Sequence, residues 1–174
     1  MPLTFTFEPA VDEPLRAGLL DLWVDVTNAG GAVGFVGPVD AATVRPTLAR
    51  QLAAVATGDS RLLVGHDPDG TVRAMAVLTH NTHHLRRHWV WAYCVMVHPD
   101  RQGGGRGRAL MTALADAART LPGVEAIRLG CRGGLGLETF YAACGYQEVG
   151  RVPAAIRVAE GDDRDDVTML LRLR

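Results

Sequence analysis

The chain contains no lysine, so all eighteen of its basic residues are arginine. That absence removes one class of phosphate site, because the nucleotide P-loop G-x-x-x-x-G-K-[ST] needs a lysine to reach the terminal phosphates. Cysteine is scarce as well, with three in 174 residues. Cys94, Cys131 and Cys144 lie too far apart for a metal-binding pattern and are too few for a disulfide framework; they are expected to behave as small, buried apolar side chains. No apolar run approaches the roughly 20 residues that cross a bilayer. The opening Met1-Pro2-Leu3-Thr4-Phe5 lacks the charged start and apolar centre of a signal peptide, which makes a cytoplasmic location the expectation. A net charge of −1 carries no basic stripe of the kind nucleic acid selects, so neither nucleic acid nor membrane is an expected partner.

What the chain does have is glycine in one place. Arg101-Gln102-Gly103-Gly104-Gly105-Arg106-Gly107-Arg108 stands between Trp89–Val97, an aromatic and β-branched run that predicts a strand, and a segment with Leu110, Leu114, Ala117 and Leu121 on one helical face. Glycine loses more backbone entropy on folding than any other residue, so four in five positions is a costly way to turn a corner. Strand, glycine loop and helix start together collect free backbone N–H groups and the positive end of a helix around one point, which suits an anion. The interleaved arginines can add charge-assisted bonds to phosphate. The dinucleotide fingerprint G-x-G-x-x-G/A does not fit the glycine spacing.

Around this loop the patterning predicts strand Thr4–Glu8, a helix with Leu15, Leu19, Leu22 and Val26 on one face, and a glycine stop at Gly30-Gly31. A loop over Gly34–Asp40 follows, then a helix bearing Val44, Leu48, Leu52 and Val55, with Pro46 expected in its first turn. Arg61–Val64 and Val72–Thr79 read as a hairpin across Asp67-Pro68-Asp69-Gly70. Ala126–Cys131 reads as a strand, Leu135–Cys144 as a short helix, and Tyr146–Arg151 and Val167–Leu173 as closing strands. No linker or repeat divides the chain, so residues 1–174 are expected to form a single α/β domain.

The segment Gln102-x-x-Gly105-x-Gly107 resembles the acetyl-coenzyme A signature Q/R-x-x-G-x-G/A of the GCN5-related N-acetyltransferase (GNAT) superfamily. Val95-Met96-Val97-His98-Pro99 is similar to the strand that leads into that signature, and Glu138-Thr139-Phe140-Tyr141-Ala142-Ala143-Cys144-Gly145-Tyr146 to the family's A-x-x-F-Y-x-x-x-G-F/Y helix end. The spelling is nearest the tabtoxin-resistance type of acetyltransferase. The resemblance implies the GNAT fold, a mixed sheet of about seven strands flanked by about four helices in the order β-α-α-β-β-β-α-β-α-β-β. It implies acetyl-CoA as cosubstrate, no metal, a small-molecule amine as acceptor, and direct attack in a ternary complex. A protein acceptor, or a non-catalytic acyl-CoA sensor on the same fold, stands as the alternative. A homodimer accords with family habit.

The same resemblance implies roles residue by residue. Val95, Met96 and Val97 would offer main-chain groups to pantetheine in a gap between the fourth and fifth strands. Arg101, Gln102, Gly103, Gly104, Gly105, Arg106, Gly107 and Arg108 would hold the pyrophosphate. Tyr141 would act as general acid toward the departing thiolate, or else pack as an interface aromatic. Glu138 would orient cofactor or substrate, or else be an ordinary exposed carboxylate. Where the related group carries an aspartate on the fifth strand this chain has Gly130, which leaves the base unassigned; water or a side chain of the acceptor side, such as one of His80, His83, His84 and His88, can serve. Asp162-Asp163-Arg164-Asp165-Asp166 reads as a solvated turn or as an acidic rim attracting a cationic amine.

Overall fold

Asp12 and Asp40 each precede a helix and accept a hydrogen bond from the backbone N–H three residues on, at 2.9 and 2.8 Å, satisfying one of the orphan donors of a first turn. Helices α1 (Glu13–Asn28) and α2 (Ala41–Ala56) follow from these caps. Because α2 begins at Ala41, Pro46 lies in its second turn rather than its first, and the helix forgoes the bond Pro46 would have made to the carbonyl four residues back. In the computed structural model, which describes residues 2–173, the remaining elements are β1 (Thr4–Phe7), β2 (Ser60–His66), β3 (Val72–His80), β4 (Trp89–Val97), α3 (Arg106–Arg119), β5 (Ala126–Arg132), α4 (Leu137–Ala143), β6 (Gln147–Ala159) and β7 (Asp162–Arg172).

The strands form one sheet in the order β1-β2-β3-β4-β5-β7-β6. Only β4 and β5 run parallel, with α3 as their crossover. Alternation along β2 and β3 sends Leu62, Val64, Met75 and Val77 into one core with α1 and α2, and Leu63, Ala74, Ala76 and Leu78 into another with α3. The predicted stripe of Leu110, Leu114, Ala117 and Leu121 is buried, with Leu121 just past the end of α3. Each fully buried leucine contributes about 2 kcal/mol, so the sheet is fastened from both faces.

The last hairpin is longer than its patterning indicates. Residues 152–166 continue both closing strands, and Asp162–Asp166 is strand rather than turn. Cross-strand charge compensates the low strand propensity of aspartate. Arg157 pairs with Asp163 at 2.7 Å, Arg151 with Asp165 at 2.8 Å, and Arg164 with Asp162 along β7.

Candidate active site

The sheet opens at its centre. β4 and β5 pair only at Trp89–Ala126, Val90–Ile127 and Trp91–Arg128, and beyond Trp91 they part. A β-bulge lies at the parting point, where Val77–Tyr93 and Met75–Met96 leave one extra residue on β4 and Cys94 takes φ 53°. Past the bulge His98 donates its N–H to the Arg73 carbonyl at 2.7 Å. By two-residue alternation Met96 faces β3 as well, while Val95 and Val97 turn their main-chain groups toward the gap. The Gln102 side chain donates to the Val97 carbonyl at 3.1 Å, fixing the root of the glycine loop.

Gly103, Gly104 and Gly105 have φ of 79°, 56° and 79°, in the left-handed region that other residues enter at a cost. Their N–H groups, and those of Gly107 and Arg108 in the first turn of α3, have no hydrogen-bond partner among the described residues. Arg106 Nε is buried and likewise unpartnered. Unmet donors at the start of a helix are what an anion would satisfy. Gly107 is glycine for a different reason: a Cβ there would stand 3.2 Å from two ring atoms of Phe140, so α4 rests directly on the start of α3.

That contact brings in Tyr141. α4 ends at Ala143, Gly145 beyond its cap takes φ 91°, and Tyr146 N–H donates back to the Tyr141 carbonyl. Tyr141 is 7% exposed, and burial, with Cys131 and Cys144 nearby, pushes its phenol well above the usual tyrosine range. The hydroxyl is therefore protonated at neutral pH and makes no hydrogen bond among the described residues. Tyr146, its ring 5.8 Å away, is more deeply buried and its hydroxyl too is unpartnered.

A cavity of about 500 Å³ runs through the gap, lined by Val95, Met96, Val97, Gln102, Gly103, Gly105, Arg106, Gly107, Arg108 and Tyr141. Three of the expected site residues lie outside it. Arg101 turns to Asp67, donating from Nε at 2.9 Å and Nη2 at 2.8 Å, and Arg73 joins them at 2.9 Å. Its guanidinium thus locks the β2–β3 turn to the end of β4. Gly104 is on the outer side of the loop, and Glu138 accepts from the Gly134 N–H at 3.3 Å. Phe140, part of the helix-end motif but not of the expected site, also lines the cavity, and sequence patterning missed Leu137 and Gly31, Ala32 and Val33 of the α1–α2 loop. That loop is held by Trp23 Nε1 on the Val33 carbonyl and by two bonds between the Asn28 amide and the Val39 backbone, long-range pairings that no local motif announces.

Ala32 also borders a second cavity, about 350 Å³, on the α1–α2 side of the sheet, between Gly34, Phe35, Val36, Gly130, Cys131, Arg132, Ile156, Arg157 and Asp166. Burial pushes the Cys94 thiol up to about 12 and the Cys131 thiol to about 11, so neither offers a thiolate nucleophile at neutral pH. His83 and His84 stack on each other at 4.9 Å, and no three candidate metal ligands gather among the described residues. Among the described residues no helix is long and apolar enough to cross a membrane.

The sequence profile of the acetyltransferase (GNAT) family matches residues 36–146. No curated protein matches the chain. Among solved structures, a phosphinothricin acetyltransferase of Sinorhizobium meliloti in complex with acetyl-CoA is 20% identical, with a TM-score of 0.75 over 99% of this chain and 89% of that one. A spermidine N-acetyltransferase of Vibrio cholerae, in complex with CoA and spermine, is 17% identical, with a TM-score of 0.75 over 97% of this chain and 95% of that one. A ribosomal-protein-alanine N-acetyltransferase of Brucella melitensis is 21% identical, with a TM-score of 0.74 over 97% and 99%. At these identities the likeness is one of fold. The profile match spans well over half of the sequence, and the chain belongs to the GNAT family of acetyltransferases.

Proposed function

We propose that this acetyltransferase moves the acetyl group of acetyl-CoA to the amine of a small molecule, by direct attack with both bound at once, and that residues 1–174 act as one domain. The observation that carries the reading is the pair of cavities bordered in common by Ala32, one lined by unmet backbone donors and Tyr141, the other small and walled by the α1–α2 loop and the β6–β7 hairpin. The volume of the second suits a compact amine more than an extended polypeptide. The solved relatives named for phosphinothricin and spermidine support that choice, and the one named for a ribosomal protein marks the rival.

The orphaned Arg106 Nε and the free N–H groups of Gly103, Gly105, Gly107 and Arg108 fit a pyrophosphate. Val95 and Val97 supply sheet-like main-chain partners for pantetheine amides, and a Val95 N–H can polarise the thioester carbonyl. Tyr141 gives its proton to the leaving sulfur. Burial serves this step by keeping the phenol protonated until the thiolate forms beside it. Holding amine and thioester together supplies much of the rate.

Coenzyme A release from acetyl-CoA, followed with a thiol reagent across polyamines, amino acids, aminoglycosides and a peptide N-terminus, tests the reading. Turnover with a small amine and little with the peptide is expected; the reverse order would establish the protein acceptor instead.

A further inference from the structure

Four aspartates stand in the first five residues of β7, and three of them are neutralised. Asp162 is held by Arg164, Asp163 by Arg157 and Asp165 by Arg151. The Asp166 side chain makes no ion pair or hydrogen bond among the described residues. It is exposed, and it opens onto the second cavity.

Its position in the sheet is informative. Asp166 pairs with Arg132 and Gly130 with Thr168, so Asp166 and Gly130 share the face turned away from the α3 core. A Cβ built on Gly130 would lie 3.5 Å from Asp166 Oδ1. That is ordinary van der Waals contact, so the β7 carboxylate oxygen borders the space that a side chain on β5 would occupy.

We propose that Asp166 is the acceptor-side carboxylate, receiving the ammonium of the incoming amine and taking one of its protons. The inference rests on the amine-acetylation reading above. Asp166 removes the first proton and frees the nitrogen lone pair. As the C–N bond forms and the C–S bond breaks, the nitrogen sheds a second proton while Tyr141 protonates the sulfur; that second proton restores the tyrosine. One ammonium and one thioester give one amide, one thiol and one proton, which leaves through Asp166 to solvent.

Arginines surround Asp166. Arg132 faces it from β5 without approaching to ion-pair distance, Arg164 on the same face of β7 is held by Asp162, and Arg157 of β6 is occupied by Asp163. The Cys131 thiol is neutral, and the loop residues Ala32–Val36 carry no charge. An incoming ammonium therefore meets one unpaired anion, flanked by Arg132.

The experiment compares wild type, Asp166→Asn, Arg132→Gln and the double variant Gly130→Asp/Asp166→Asn, using the best amine from the panel and a hydrazide that is uncharged at assay pH. For Asp166→Asn, kcat/KM toward the amine is expected to fall about a hundredfold or more, with acetyl-CoA affinity by calorimetry within twofold of wild type. The loss shrinks for the hydrazide, which brings no ammonium. The double variant recovers at least tenfold by returning a carboxylate to the same space from β5, and Arg132→Gln does not reproduce the loss. Unchanged amine kinetics in Asp166→Asn would overturn the assignment while leaving the acetyltransferase reading intact. A loss equal for amine and hydrazide, or accompanied by loss of acetyl-CoA binding, would make Asp166 structural and overturn it as well. A wild-type enzyme that acetylates no amine overturns both.

Discussion

Gly105 and Gly107 belong to one short motif, yet the structure requires glycine at each for unrelated reasons, and alanine separates them. Gly105 has φ 79°, and a Cβ there would meet nothing within 4 Å. Its cost is backbone strain alone, about 1–2 kcal/mol, which at about 2–4 °C per kcal/mol for a chain of this size lowers Tm by about 2–8 °C. Relief of that strain turns an N–H out of the cradle. One lost bond to a charged phosphate is worth about 1.5–3 kcal/mol, or about 10- to 150-fold in affinity. Gly107 sits in the first turn of α3 without a positive φ. Alanine there gains about 1 kcal/mol of helix propensity, offset by displacing the Phe140 ring a few tenths of an ångström from its 3.2 Å contact. Scanning fluorimetry and acetyl-CoA calorimetry should show Gly105→Ala melting several degrees low and binding at least tenfold more weakly. Gly107→Ala should stay within about 2 °C and threefold of wild type. Equal melting temperatures and equal affinities for the two variants would refute the assignment of the loop geometry.

Tyr141→Phe is expected to lower kcat about a hundredfold with acetyl-CoA affinity and Tm unchanged, because the hydroxyl has no partner among the described residues; an unaltered kcat between pH 6 and 9 would remove the tyrosine from the chemistry. Arg101→Met should lower Tm by uncoupling Asp67, yet leave acetyl-CoA affinity within about twofold, whereas Arg106→Met should weaken affinity about tenfold or more with little change in Tm; calorimetry and melting of both variants decide which arginine meets phosphate. The folded pKa values of Asp67, Asp163 and Asp165 are depressed, chiefly by hydrogen bonds from Arg101, Arg157 and Arg151. A depressed carboxylate contributes stability above its unfolded pKa of about 4 and loses it as pH falls through the folded value. Urea melts should therefore show a decline in stability below about pH 4 from these pairs, and stability rising on acidification through that range would contradict them. Cys94, pushed up to about 12, should resist iodoacetamide at pH 8 in the folded protein, as mass spectrometry of the alkylated chain can check.

Much of the candidate site was legible in order along the chain because it is built from adjacent residues. The glycine loop, the strand before it and the Phe140-Tyr141 pair are local features, and each lies where its spacing suggests. What escaped depends on contacts between distant segments. Arg101 carries the same charge as Arg106, and only the fold reveals that Asp67, far back in the sequence, claims it. The run from Asp162 to Asp166 has the composition of a turn, and it becomes strand because arginines on β6 compensate it from across the hairpin. Glu138 looked equally able to face cofactor or solvent; its bond to Gly134 keeps it at the mouth of α4, away from the cavity. Gly130 reads as an absent carboxylate until β7 is laid beside β5. The gap between β4 and β5 rests on a bulge at Cys94 whose positive φ no residue there advertises.

A structure of the chain with acetyl-CoA bound would test the central claim most directly. The pyrophosphate oxygens should lie within hydrogen-bond distance of the N–H groups of Gly103, Gly105, Gly107 and Arg108, with pantetheine along Val95 and Val97 and the sulfur within reach of the Tyr141 hydroxyl. A pyrophosphate bound away from this loop, or a sulfur separated from Tyr141 by more than a single water, would contradict the account.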